Sequence, residues 1–237
     1  RYFIMFYDFL IDPFIELPFM RRSLMGCFSI ALGASPIGVF LMLRRMSLTG
    51  DAIAHAILPG AAIGYLFYGL SLTAMTLGGL VAGMLVVLLT GFVNRSTILR
   101  EDTSLASFYI LSLALGVSII TMRGIKVDLM HILFGNILSF DSSALFLLSS
   151  IATISMIMLA ILYRPLIMEC LDSSFLKSVS PMSGIVHFVF LFITVLNLVA
   201  GFHALGTLLS VGVMILPAAS ARFWSRNVQG LIMVAVF

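Results

Sequence analysis

Apolar runs of about twenty residues, each closed by a short polar or charged interval, set the pattern of this chain. A bilayer-crossing helix needs about 20 predominantly apolar residues. The pattern predicts spans near 23–43, 48–70, 72–92, 103–122, 143–163, 184–201 and 204–221. A further one opens at Gln229 and stops unfinished at Phe237, and the chain opens on Arg1 rather than Met, so both termini are expected to be incomplete. The start differs in kind. Asp8, Asp12 and Glu16 recur every four positions among Phe, Ile and Leu, gathering three acids on one helical face. That predicts a segment lying in the membrane interface rather than crossing it. Pro13 and Pro18 would divide it into short pieces. It is acidic and has no small-residue cleavage site, which disfavours a secretory signal peptide. The expected division is an interfacial segment over 1–22 and a transmembrane unit over 23–237.

Composition narrows the class. Of 237 residues, 61% are hydrophobic and only 10% are charged, and the mean hydropathy is +1.18. A soluble domain carries about 25% charged residues, so a water-soluble enzyme is excluded. The expected fold is an all-α integral membrane protein, a polytopic bundle of about eight transmembrane helices with the last incomplete. The formal charge is +3 with no Lys/Arg run, which leaves no electrostatic footprint for nucleic acid. Cys27 and Cys170 supply neither a disulfide framework nor a Cys-rich metal site.

Lys and Arg concentrate in cytoplasmic loops. The intervals after the odd-numbered spans hold Arg44, Arg45, Arg95, Arg100, Arg164, Lys177, Arg222 and Arg226, against Arg1, Arg21, Arg22, Arg123 and Lys126 on the other side. The poorer side also holds Asp8, Asp12, Glu16, Asp128 and Asp141. This predicts an outer N-terminus. Small residues recur at four-residue spacing in Gly60–Gly64 and Gly79–Gly83, the pattern by which transmembrane helices approach closely. They are read as packing positions.

Ionisable residues inside spans are costly and mark function by default. The sharpest case is Thr49-Gly-Asp51-Ala-Ile-Ala-His55-Ala-Ile-Leu-Pro59-Gly60. Asp51 and His55 are four apart, so a helix sets them on one face, about 40° from each other. A carboxylate oxygen and an imidazole nitrogen can together grip a divalent transition metal. The bland alternative is a capping Asp51 and a packed, hydrogen-bonded His55. Pro59-Gly60 is expected to break the helix just beyond, as happens where transmembrane helices line a pathway.

Asp128 and His131, three apart, could share a second helical face, although a capping acid and a surface histidine fit equally well. His203 is expected at an outer hairpin after Gly201, where it could face an entry path; His187 is read as structural. The methionines form no Met-x-x-Met cluster and are read as packing. Gly-x4-Gly-Lys-[Ser/Thr], His-Glu-x-x-His and Gly-x-Ser-x-Gly are all missing from the sequence, so no P-loop ATP site or hydrolase of those types is encoded here. The interval from Arg164 to Pro181 carries Glu169, Asp172 and Lys177 and is long enough to present a short helix to a partner protein.

Several stretches in fixed order resemble the membrane permeases of bacterial zinc, manganese and iron ABC importers. They are Pro18-Phe-Met-Arg-Arg22, Gly38 to Met46, Ser47 to Gly60, Glu101-Asp102, Ala114 to Val117, Leu133 to Asn136, Ala204 to Leu209 and Leu216 to Arg222. Ala200 to Thr207 and Ala221 to Arg226 look most similar to the zinc permeases. The resemblance covers nearly the whole chain. It implies a transport subunit that is not itself an enzyme, in the bacterial inner membrane. It further implies a separate ATP-hydrolysing subunit, an extracytoplasmic metal-binding protein and a second permease copy, with lipid around the assembly. Asp51 and His55 match the family's metal-contacting pair. The cargo implied is Zn²⁺ first, then Mn²⁺ or Fe²⁺, with no permanently bound cofactor. Coupling to the ATPase would fall on Glu169, Asp172, Ser173, Phe175 and Lys177. There the chain departs from the family pattern, with Leu176 and Ser180 standing where Ala and Gly are usual. The competing reading is a secondary metal transporter or channel using Asp51 and His55 as a proton relay.

Overall fold

In hydrocarbon, every backbone N–H and C=O must be satisfied within its own segment, which leaves the helix as the solution for a separate apolar run. The computed structural model describes residues 12–69, 71–97, 101–122, 142–171 and 183–237. Among them every regular element is a helix: α1 Asp12–Glu16, α2 Pro18–Leu43, α3 Ser47–Tyr68, α4 Leu72–Ser96, α5 Glu101–Met122, α6 Ser142–Leu171, α7 Ser183–Ala221 and α8 Val228–Val236. Pro18–Leu43, Leu48–Tyr68, Thr73–Asn94, Ser142–Leu171, Ser183–Phe202 and Ala204–Ala221 are each long and apolar enough to cross a membrane, and Thr103–Ile119 is a shorter apolar helix.

Two boundaries differ from expectation. The first long helix begins at Pro18, ahead of the expected start at 23. Proline at the first helical turn loses only an N–H that has no intrahelical partner there, so Pro18 opens α2. Farther on, the reversal expected just after Gly201 occurs at Gly206, where φ is 75° and ψ is 175°. An added Cβ at Gly201 would strike Ser210. Nine residues of straight helix span about 13.5 Å, so this contact requires the chain to fold back between them. Only glycine occupies that backbone region readily.

Helices α3, α4 and α5 pack together, as do α2, α6 and α7, and α7 also touches α3 and α4, joining the groups. The small residues do the work expected of them. Gly60 of α3 and Gly78 of α4 lie backbone to backbone, so a Cβ on either would strike the other's carbonyl. One turn on, Gly64 meets the Ala74 backbone, and Gly79 and Gly83 leave room for Ile57 and Val195. In the second group, Phe40 meets Phe190 and Tyr163 edge-on, with centroids 6.3 and 6.2 Å away. Nearby, Asn197 of α7 donates to Ser155 Oγ of α6 at 2.6 Å and to the Ile193 carbonyl at 3.0 Å. The outward stripes are apolar, as on α4 (Val81, Leu85, Leu88, Phe92) and α6 (Phe146, Ile154, Ile157, Ile161). Such stripes fit a lipid surround.

Candidate metal site on helix α3

Asp51 and His55 lie one turn apart near the start of α3, with His55 Nε2 3.6 Å from Asp51 Oδ1. That separation is too long for a hydrogen bond. Two ligand atoms each about 2.1 Å from one ion, at a tetrahedral angle, stand about 3.4 Å apart, so the pair is spaced to hold a single cation. The Asp51 side chain is 57% exposed and that of His55 34%. The imidazole is steadied from α5, where Tyr109 stacks on it with centroids 5.9 Å apart and planes 29° from parallel. His55 Nδ1 and Thr49 Oγ1 are buried and have no hydrogen-bond partner among the described residues. A cavity of about 150 Å³ opens beside Asp51, lined by Leu48, Thr49, Asp51 and Ala52 of α3 and by Leu105, Ala106 and Tyr109 of α5.

Helix α3 runs unbroken through Pro59 and Gly60, so the expected break does not occur. Gly60 is consumed by the contact with Gly78. Pro59 still removes the donor that would have bonded the His55 carbonyl. Helix α5 packs directly on this position: a Cβ at Gly116 would lie 3.2 Å from Pro59 Cα, and Ser112 Oγ donates to the Ala56 carbonyl at 3.1 Å.

Other candidates fall differently. Glu169 is only 7% exposed, pairs with Arg44 and has Oε1 3.4 Å from His187 Nδ1, so its carboxylate faces the interior of the bundle. His187 is structural in the sense that it joins this cluster. Asp128, His131, Asp172, Ser173, Phe175 and Lys177 lie outside the described residues, as does the side chain of His203. No group of three or more His, Cys, Asp or Glu side chains suited to a metal occurs among the described residues. Tyr109 was not singled out from the sequence. One aromatic in an apolar helix carries no signal of its own.

The profile described as the ABC 3 transport family matches residues 16–237. The chain belongs to the ABC 3 transport family. Its relatives include the "Manganese import system permease protein ScaB" of Streptococcus parasanguinis, 30% identical over 95% of this chain and 79% of that protein. Another is the "Probable iron transport system membrane protein" of Haemophilus influenzae, 26% identical over 97% of this chain and 83% of that protein. Among solved structures, "PsaBC from Streptococcus pneumoniae in complex with Fab" is similar with a TM-score of 0.81 and 28% identity, covering 95% of this chain and 80% of that one. Family and apolar helices together make this ABC 3 chain a multi-pass protein of the bacterial cytoplasmic membrane. The leaning toward zinc drawn from residues 200–207 and 221–226 finds no support in these relatives, whose names carry manganese and iron.

Proposed function

We propose that this protein is the channel-forming permease of an ATP-driven importer for a divalent transition metal, and that Asp51 and His55 grip the ion in transit. The observation that carries the reading is the Oδ1–Nε2 separation of 3.6 Å, with Asp51 lining a cavity, in a chain of the ABC 3 transport family. Two protein ligands suit a site that must release what it captures. The manganese names of relatives favour Mn²⁺, and Zn²⁺ is the alternative drawn from the sequence; both accept nitrogen and oxygen ligands.

The remaining subunits follow from this reading. A separate subunit hydrolyses ATP beneath the bundle, docking at residues 172–177, and an extracytoplasmic protein delivers the ion. A second permease copy is supported by the exposure of Asp51. An ionisable side chain within a spanning helix almost always faces protein or a water-filled cavity rather than lipid, so this face is covered by protein or lined by water. The test is uptake of radiolabelled Mn²⁺ and Zn²⁺ by cells whose only importer is the full-length permease with its partners. Asp51→Ala and His55→Ala each reduce uptake to background while the complex still assembles. Wild-type transport by the double variant sinks the assignment.

A further inference from the structure

Three helix ends meet in a buried charged cluster outside the transport site. Arg44 follows α2 directly and pairs through Nη2 with Glu169 Oε1 of α6. The same Nη2 lies 3.2 Å from His187 Nδ1 of α7, which is 3.4 Å from Glu169 Oε1. Arg44 and Glu169 side chains are 6% and 7% exposed, and the guanidinium carbon stands 4.9 Å over the Phe190 ring. Burying ionised groups is expensive unless they pair. Well-packed hydrophobic residues often hold such helix ends together as well as a buried ion pair does, so adhesion alone does not call for these charges.

Where Arg44 sits supplies that role. Residues Arg44–Met46 alone join α2 to α3. Their N–H groups donate to the carbonyls of Phe40, Met42 and Leu41 at 3.0, 3.1 and 2.9 Å, and Thr49 N–H donates to Met46. Arg45 takes a left-handed φ of 60°. The turn is thus bonded from the end of α2 into the first turn of α3, where Asp51 follows. Glu169 precedes the end of α6 by two residues, and His187 lies in the first turns of α7.

We infer that the Arg44–Glu169–His187 cluster is a positioning element that links the α6–α7 end of the bundle to the helix bearing Asp51 and His55. It rests on the transport reading above, in which ATP-driven motion enters at the α6–α7 connection. The cluster ties that end to a turn with little slack, so displacement of α6 and α7 passes to α3.

The experiment measures metal uptake and ATP hydrolysis in the same preparation, using the full-length permease assembled with its ATPase and binding-protein partners. Glu169→Gln breaks the pair. The double variant Arg44→Met with Glu169→Leu removes both charges while keeping volume, a replacement that buried pairs tolerate. The double variant is expected to assemble and hydrolyse ATP, while metal moved per ATP falls roughly two- to thirty-fold. Should it not assemble, His187→Gln keeps the Arg44–Glu169 pair and is read the same way. A wild-type ratio of metal to ATP in either assembled variant overturns the inference and leaves a structural staple. Absence of ATP-driven uptake in the wild-type complex instead overturns the transport reading, and this inference with it.

Discussion

The Tyr109 ring of α5 lies nearly parallel to the His55 imidazole of α3, with centroids 5.9 Å apart. It is the one described aromatic stacked on the candidate site, and it fixes the imidazole plane without spending a ring nitrogen. Aromatic pairs add about 0.5–1.5 kcal/mol beyond their area. Tyr109→Ala should therefore raise the metal concentration for half-maximal uptake by roughly two- to ten-fold. Tyr109→Phe should stay near wild type. Equal loss in both variants would assign the effect to the hydroxyl.

Gly60 and Gly78 touch through their backbones, so a side chain cannot enter without separating α3 from α4. Overpacking costs about 1–3 kcal/mol and sometimes more. Gly60→Val should lower the thermal unfolding midpoint in detergent and reduce the amount of folded protein in membranes. Gly91→Ala on the same helix pair is the control, since a Cβ there meets nothing within 4 Å.

Gly206 holds φ 75° and ψ 175° at the reversal in α7. A side chain in that region costs on the order of 1–3 kcal/mol. Denaturant titration of Gly206→Ala should show a loss of that size. An unchanged midpoint would mean that the reversal does not need glycine.

Asn197 Nδ2 donates to Ser155 Oγ at 2.6 Å deep between α6 and α7. In membrane proteins such bonds contribute about 0.6 kcal/mol on average and up to about 1.7 kcal/mol. Ser155→Ala should cost an amount in that range, because the Nδ2 group keeps its second acceptor, the Ile193 carbonyl. A loss well above the range would point to packing around the hydroxyl.

Much of the fold was legible because apolar run length and helix period are local properties. Asp51 and His55 were visible for the same reason, as a fixed spacing of four converts directly into a shared face. What escaped was long-range. Glu169 read only as a coupling residue because its contacts are non-local, with Arg44 just after α2 and His187 on α7. Pro59 read as a break, yet α5 packs against it through Gly116 and α3 continues. The hairpin was expected just after Gly201, because only backbone geometry shows that Gly206 is the residue carrying positive φ. Asp128, His131 and residues 172–177 lie outside the described residues, so those expectations stand where the sequence left them.

The fold-back at Gly206 has a mechanical consequence. A turn made at one residue can pivot, but it has no spare chain to let one arm slide along the other. The first arm of α7 carries His187 and Asn197; the second carries Met214, whose Cε fills the space beside Gly50, immediately before Asp51. Helix α7 thus touches α6 through Asn197 on one arm and α3 through Met214 on the other, with a single glycine between the two arms.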